Sequence, residues 1–160
     1  MDYSRLLPAL ALAVSVSAWC GAGIALAHNP VVADQDSAHA EAIRAILSLD
    51  RKLGATRNQA SRTVSLADSI RQYVDALDQL DFSHCPDDFT QAFRQHRDAW
   101  ADSVRFFREF DSMRGELHQI WAAIEKMGGQ HSQAFEAATE PILATWEAVE
   151  QSVRRHGVEP

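Results

Sequence analysis

From Ser37 onward, apolar side chains recur at Ala42, Ile43, Ile46, Leu47 and Leu53, while Glu41, Arg44, Arg51 and Lys52 fill the rest of the wheel. Steps of three and four put such residues on one face of a helix. Around Gly54 to Arg62 the stripe thins, which predicts a turn or a helix irregularity there. A cleaner stripe follows at Val64, Ala67, Ile70, Val74, Leu77 and Leu80. Ser65 with Asp68 three positions on is a variant of the capping box, and this second helix is expected to end near Asp81. The run Phe82-Ser83-His84-Cys85-Pro86-Asp87-Asp88-Phe89 is the clearest punctuation in the chain. Proline suits a first helical position, and carboxylates in the first turn oppose the positive end of the helix dipole, so a third helix is expected from about Pro86. Its inward stripe reads Phe89, Phe93, His96, Trp100, Val104, Phe107 and Phe110, later joined by Leu117, Ile120, Trp121 and Ile124. Gly115 is expected to bend it and Gly128-Gly129 to end it. The last stripe is Ile142, Trp146, Val149 and Val153, with Pro141 near a helix start. Phe135 and Ala138 move that start, or a short helix before it, back to near Ser132. Arg154, Arg155 and His156 followed by Gly157 give the charge and cap order of a helix C-terminus.

No alternating run of β-branched residues occurs. The pattern predicts an all-α chain, an antiparallel up-down bundle of about four helices spanning 37–157 as one domain, because short connections force antiparallel neighbours. Residues 28–36, with Pro30 and small side chains, read as an extended tail. The apolar fraction of 46% is that of a globular protein, not of a disordered chain. A formal charge of −7 argues against nucleic acid, whose phosphates require a basic face.

Ahead of the helical pattern stands a different one. Arg5 is followed by twenty-two uncharged residues, Leu6 to Ala27, rich in Leu, Ala and Val. A basic start, an apolar run and the small residues Ala25-Leu26-Ala27 have the three parts of a secretory signal peptide. Cleavage after Ala27 would leave a periplasmic or secreted chain beginning His28-Asn29-Pro30. An uncleaved run is long enough to anchor the chain in a membrane, although Pro8, Ser15, Ser17 and the glycines make a mediocre anchor. Lipid attachment at Cys20 is disfavoured by bulky Trp19 beside it. Cleavage also removes Cys20, so the mature chain would carry Cys85 alone, with no internal disulfide available.

Few residues suggest chemistry. Cys85, just ahead of a helix start, faces the helix dipole, which lowers a thiol pKa, while Asp87 and Asp88 oppose that. A buried structural thiol, a redox-responsive thiol and an intermolecular disulfide are all open. His96 shares its stripe with Phe93 and Trp100, so its ring points inward, as a hydrogen-bonded core residue or as a metal or haem ligand. In the second case Cys85, His84, His118, Met113 and Met127 are the candidate partners. The Glu-x-x-His pairs of bundle metal sites are missing, as is C-x-x-C-H. His28 at a free N-terminus could chelate Cu(II), but Pro30 at the third position denies the site a backbone amide. Trp100, Trp121 and Trp146 lie on stripes and read as core or contact residues, and Phe106 widens the apolar face toward a dimer or partner surface. There is no G-x-S-x-G, no phosphate-binding Gly-rich loop and no H-E-x-x-H, so no catalytic residue and no cofactor is assigned.

The stretch Leu80-Asp81-Phe82-Ser83-His84-Cys85-Pro86-Asp87-Asp88-Phe89, continuing through Ala92-Phe93 and His96 to Ala99-Trp100, resembles a segment of secreted helical proteins of bacteria that carry no assigned activity. The resemblance implies that Asp81, Cys85, Pro86, Asp88, Phe89, His96 and Trp100 form one structural unit. A further comparison, with helical-hairpin periplasmic stress chaperones, lacks their repeated L-T-x-x-Q motif. The expectation is therefore a non-enzymatic exported bundle that acts through protein contact, as a homodimer or with a periplasmic partner. A metal- or haem-binding bundle and a single-thiol redox protein are its rivals.

Overall fold

The computed structural model describes residues 30–115 and 117–159, with side chains from Gln35 onward. The signal-like run 1–27, its cleavage point, Cys20 and His28 lie outside the described residues. The described residues form helices only: α1 (Pro30–Ala60), α2 (Leu66–Leu77), α3 (Asp87–Phe107), α4 (Leu117–Met127) and α5 (Gly129–Arg155).

Several boundaries differ from the sequence expectation. The tail read as extended is helical from Pro30, because proline is tolerated in a first turn and nothing in Val31–Ala38 interrupts propagation. Helix α1 also runs straight through Gly54, and the turn comes only at 61–64, where the amides of Thr63 and Val64 both bond the Ala60 carbonyl. The long helix expected from Pro86 to Gly128 is instead two. Helix α3 stops at Phe107, a 3₁₀ turn covers Arg108–Phe110, and α4 is separate. Gly115, at φ 137°, is where the chain turns rather than bends. Its amide donates to the Ser61 carbonyl at 3.0 Å, and Ser61 Oγ donates to its carbonyl at 2.7 Å. That pair of bonds ties the end of α1 to the α3–α4 connection.

Other local signals act as read. Ser65, in extended conformation, accepts from the Asp68 amide at 3.1 Å and donates to Asp68 Oδ2 at 2.8 Å, a reciprocal cap. Helix α2 then ends at Leu77, with successive turn bonds carrying the chain to Leu80. Pro86 is the residue before α3, at φ −60° and ψ 147°, and Asp87 and Asp88 occupy the first turn. Helix α5 starts at Gly129, earlier than expected, and carries Pro141 within it on an exposed face. Beyond its last turn, Gly157 at φ 67° lets Gly157 N bond Arg154 O and Val158 N bond Val153 O. This is a Schellman cap whose apolar member, Val158, is buried.

The contacts fix the topology. Helix α1 packs on α2, α2 on α3, α3 on α5, and α4 on α5. The end of α1 meets Gly115, while His39 near its start lies beside His156 at the end of α5. The start of α3 also meets the end of α5, through Asp88. Helices α1, α2, α3 and α5 therefore run up, down, up and down, and α4 closes one end of the bundle. Its Trp121 stacks nearly parallel to Phe107, at 6.3 Å between ring centres, and lies edge-on to Phe135. Phe89, Phe93, Ile43, Ile70, Ile142 and Val149 are among the side chains fully withdrawn from solvent in the centre. Each fully buried side chain of this size contributes about 1.5–3 kcal/mol.

Candidate functional site

The thinning of the α1 stripe has a physical cause. Ile43, Asp50 and Arg57 are seven residues apart and share one face, so the inward stripe continues but changes from apolar to charged. Arg57 is only 8% exposed. Its guanidinium lies over the Tyr73 ring at 4.6 Å and the Trp100 ring at 4.2 Å, bridging α1, α2 and α3. Its Nε and an Nη donate to Asn58 Oδ1 at 3.3 and 3.2 Å. Tyr73 in turn donates its hydroxyl proton to Asp50 at 2.5 Å. Burial pushes the Asp50 carboxyl up from the usual carboxylate range, against the Tyr73 bond and the Arg57 charge, which pull it down. Burial, reinforced by the Asp50 charge, also raises Tyr73 well above an ordinary phenol.

His96 joins this group from the other side of Trp100. The Trp100 indole N–H donates to His96 Nε2 at 3.0 Å, so that nitrogen carries the lone pair and the proton sits on Nδ1. Nδ1 faces Thr145 Oγ1 at 3.1 Å, and Thr145 passes its own proton to the Pro141 carbonyl at 2.6 Å. The Trp146 ring lies 5.1 Å from the imidazole, with its indole N–H donated to Glu150. Burial holds the His96 imidazole far below its ordinary range, at about 3. The Arg57 charge pushes the same way, against a backbone bond at Ile142. His96 is thus a neutral core histidine of fixed tautomer, and both of its nitrogens are committed.

The Asp81–Phe89 corner forms a second cluster. Asp81 Oδ1 accepts from the Ser83 amide at 2.9 Å, and the Cys85 amide donates to the Phe82 carbonyl at 2.9 Å. The Phe82 ring covers Phe93 at 5.4 Å and Phe89 at 6.4 Å. Asp88 reaches across to the end of α5, accepting from Ser152 Oγ, Arg155 and His156 Nε2, each at 2.9 Å. Burial opposes its charge, but the His156 and Ser152 bonds outweigh it and hold the carboxyl at about 2. Cys85 is half-buried and its thiol is pushed up, by burial first and then by the negative charge of Asp81. The carboxylate acting on the thiol is therefore the one before it in sequence, not the Asp87 and Asp88 pair expected to oppose the dipole.

The residues of the sequence motif lie in two places, the turn leading into α3 with that helix's first turn, and the middle of α3. Asp81, Cys85, Pro86, Asp88 and Phe89 build the corner, while His96 and Trp100 belong to the inner network. His84 is exposed in the turn before α3, His118 is exposed on α4, and Met127, the last residue of α4, is half exposed. Among the described residues no group of three or more His, Cys, Asp or Glu side chains is placed to hold a metal ion. Sequence reasoning missed Asp50, Arg57, Tyr73 and Thr145; the seven-residue spacing of Ile43, Asp50 and Arg57 was the available signal. Phe106 packs against Phe107 and Phe110, both at 5.2 Å, and remains half-buried. No helix among the described residues is long and apolar enough to cross a membrane. Comparison with family models, with curated proteins and with solved structures finds no match to this chain.

Proposed function

We propose that this chain is an exported helical bundle that works by protein contact, as a homodimer or on a periplasmic partner, and carries out no reaction of its own. The observation that carries this reading is the closure of the inward polar side chains on one another. Asp50 is held by Tyr73, Arg57 by two aromatic faces and Asn58, and His96 by Trp100 and Thr145. Groups spent in this way specify the packing of four helices and leave the outer helix faces to do the work. Those faces expose Leu49 and Met127 and half expose Phe106. The address is supported by the three-part pattern of residues 1–27.

The test starts from the full chain expressed in a bacterial host with an outer membrane. Mature protein recovered from the periplasm is expected to begin at His28, to self-associate by light scattering, or to retain a defined envelope protein after in vivo crosslinking. A strictly monomeric protein that retains no partner overturns the contact reading. Stoichiometric metal or haem in the purified protein would replace it with the ligand-binding reading, which requires His96 to give up its bond from Trp100. A Cys85 thiol that cycles between oxidised and reduced forms in the periplasm would replace it with the redox reading.

A further inference from the structure

We propose that the α3–α5 contact around His96 is an acid-opened joint hinged on the Asp88 corner. The two clusters that join these helices respond differently to protons. At the middle of the contact, the only lone pair on the imidazole, at Nε2, accepts the Trp100 indole N–H at 3.0 Å. A proton added there sets two N–H donors against each other at hydrogen-bond distance. It also places a second cation behind the indole that already carries the Arg57 guanidinium at 4.2 Å. Apart from the Ile142 backbone, which favours the charged ring, the groups around it offer no compensation. Helix α1 presents the Arg57 cation and α2 presents the Tyr73 phenol, itself bonded to Asp50. Trp121 of α4, across Trp100 at 6.3 Å, is uncharged. From α5, Thr145 is already paired with the Pro141 carbonyl, and Glu150 is held by Trp146 and Arg154. The protonated ring is accommodated only by moving toward water, which lies on the α5 side, where Thr145 and Trp146 are half-buried.

The hinge does not depend on that proton. Asp88 accepts from Ser152, Arg155 and His156 at 2.9 Å each, and Arg155 is a permanent cation, so the corner is held by a charge-assisted bond. The Asp88 carboxyl stays ionised down to about pH 2, so its bond to Arg155 persists through mild acid. Mild acid therefore weakens the middle of the α3–α5 contact while its corner holds. Linkage sets the size: a histidine neutral when folded and charged when exposed favours the open state about tenfold per pH unit below 6.5, until its folded value is reached.

The experiment is hydrogen exchange by mass spectrometry on the full chain at pH 7 and pH 4.5, corrected for intrinsic exchange, together with near-ultraviolet circular dichroism. For wild type, protection across 96–104 and 142–149 is expected to fall by tenfold to a hundredfold at pH 4.5 and to return on neutralisation. Protection at 90–93 and 153–156, and far-ultraviolet helicity, should persist. His96→Gln, whose amide can accept from Trp100 and donate to Thr145 without titrating, should stay closed at both pH values. Histidine NMR on wild type serves if that variant does not fold: the His96 resonances should report protonation together with opening. Equal protection at both pH values, opening of His96→Gln over the same range, or His96 titrating near 6.5 with the contact still protected would each overturn the joint.

Discussion

Replacing Arg57 tests whether the charged continuation of the α1 stripe holds the bundle together. The side chain is 8% exposed and lies against Tyr73 and Trp100 at 4.6 and 4.2 Å. A desolvated cation over an aromatic face is worth about 2 kcal/mol, and truncating a long buried side chain to alanine costs roughly 2–5 kcal/mol. Releasing the guanidinium from its desolvated site recovers part of this. Arg57→Ala is therefore expected to lose about 2–4 kcal/mol. Arg57→Lys keeps the charge but cannot lay a planar group between two rings, and is expected to lose roughly 1–2 kcal/mol. Arg57→Met keeps the stem and volume without a charge, and should fall within about 1 kcal/mol of wild type. Urea unfolding at pH 7, followed by tryptophan fluorescence and far-ultraviolet circular dichroism together, gives the three values at constant slope. The order matters more than any single number. An alanine variant as stable as wild type, or a methionine variant as damaged as alanine, would refute the reasoning.

Three further outcomes follow from the same geometry. Asp88 is depressed to about 2 from 3.8, so its contribution is complete above pH 3.8 and is lost as pH falls through 2. Its carboxylate is 41% exposed, which reduces the contribution to about 1 kcal/mol. Asp88→Asn should cost that amount at pH 6 and flatten the acid limb of thermal melts between pH 4 and 2; an unchanged limb contradicts the assignment. Cys85 should react with a soluble maleimide more slowly than free cysteine at pH 7.5 and at the free rate in urea, because burial and Asp81 both disfavour its thiolate. Reaction at the free rate in the folded protein would place the thiol elsewhere. Ser65→Ala removes the reciprocal cap of α2 and should cost about 1 kcal/mol in the same urea assay, whereas a loss of only a few tenths would mean the cap is idle.

Much of the fold was legible because local signals and packing agree. The stripes of α2 and α3, the Ser65 cap, the turn before Pro86 and the Gly157 terminus each follow from spacing or from backbone chemistry. What was not legible depended on partners distant in sequence. Gly115 reads as a bend from its own neighbours, and becomes a break only because Ser61, fifty-four residues earlier, holds both its amide and its carbonyl. Pro141 reads as a helix start, yet it sits inside α5. Its missing N–H affects one bond of a long helix, and its carbonyl takes the Thr145 proton. The stretch around Arg57 reads as an interruption because charged residues are rarely buried without partners, and its aromatic partners, Tyr73 and Trp100, come from α2 and α3. His96 was placed inward by its stripe. Its tautomer depended on knowing that Trp100, four residues on, points its N–H back along the helix.

The inner polar network closes at His96, between Trp100 and Thr145. Long-range ¹H–¹⁵N NMR of the imidazole at pH 7, with exchange of the Trp100 indole proton, tests it most directly. A neutral ring protonated at Nδ1, with an indole proton protected from solvent, is the predicted result. A ring protonated at Nε2, or an indole proton exchanging at the free rate, would contradict it.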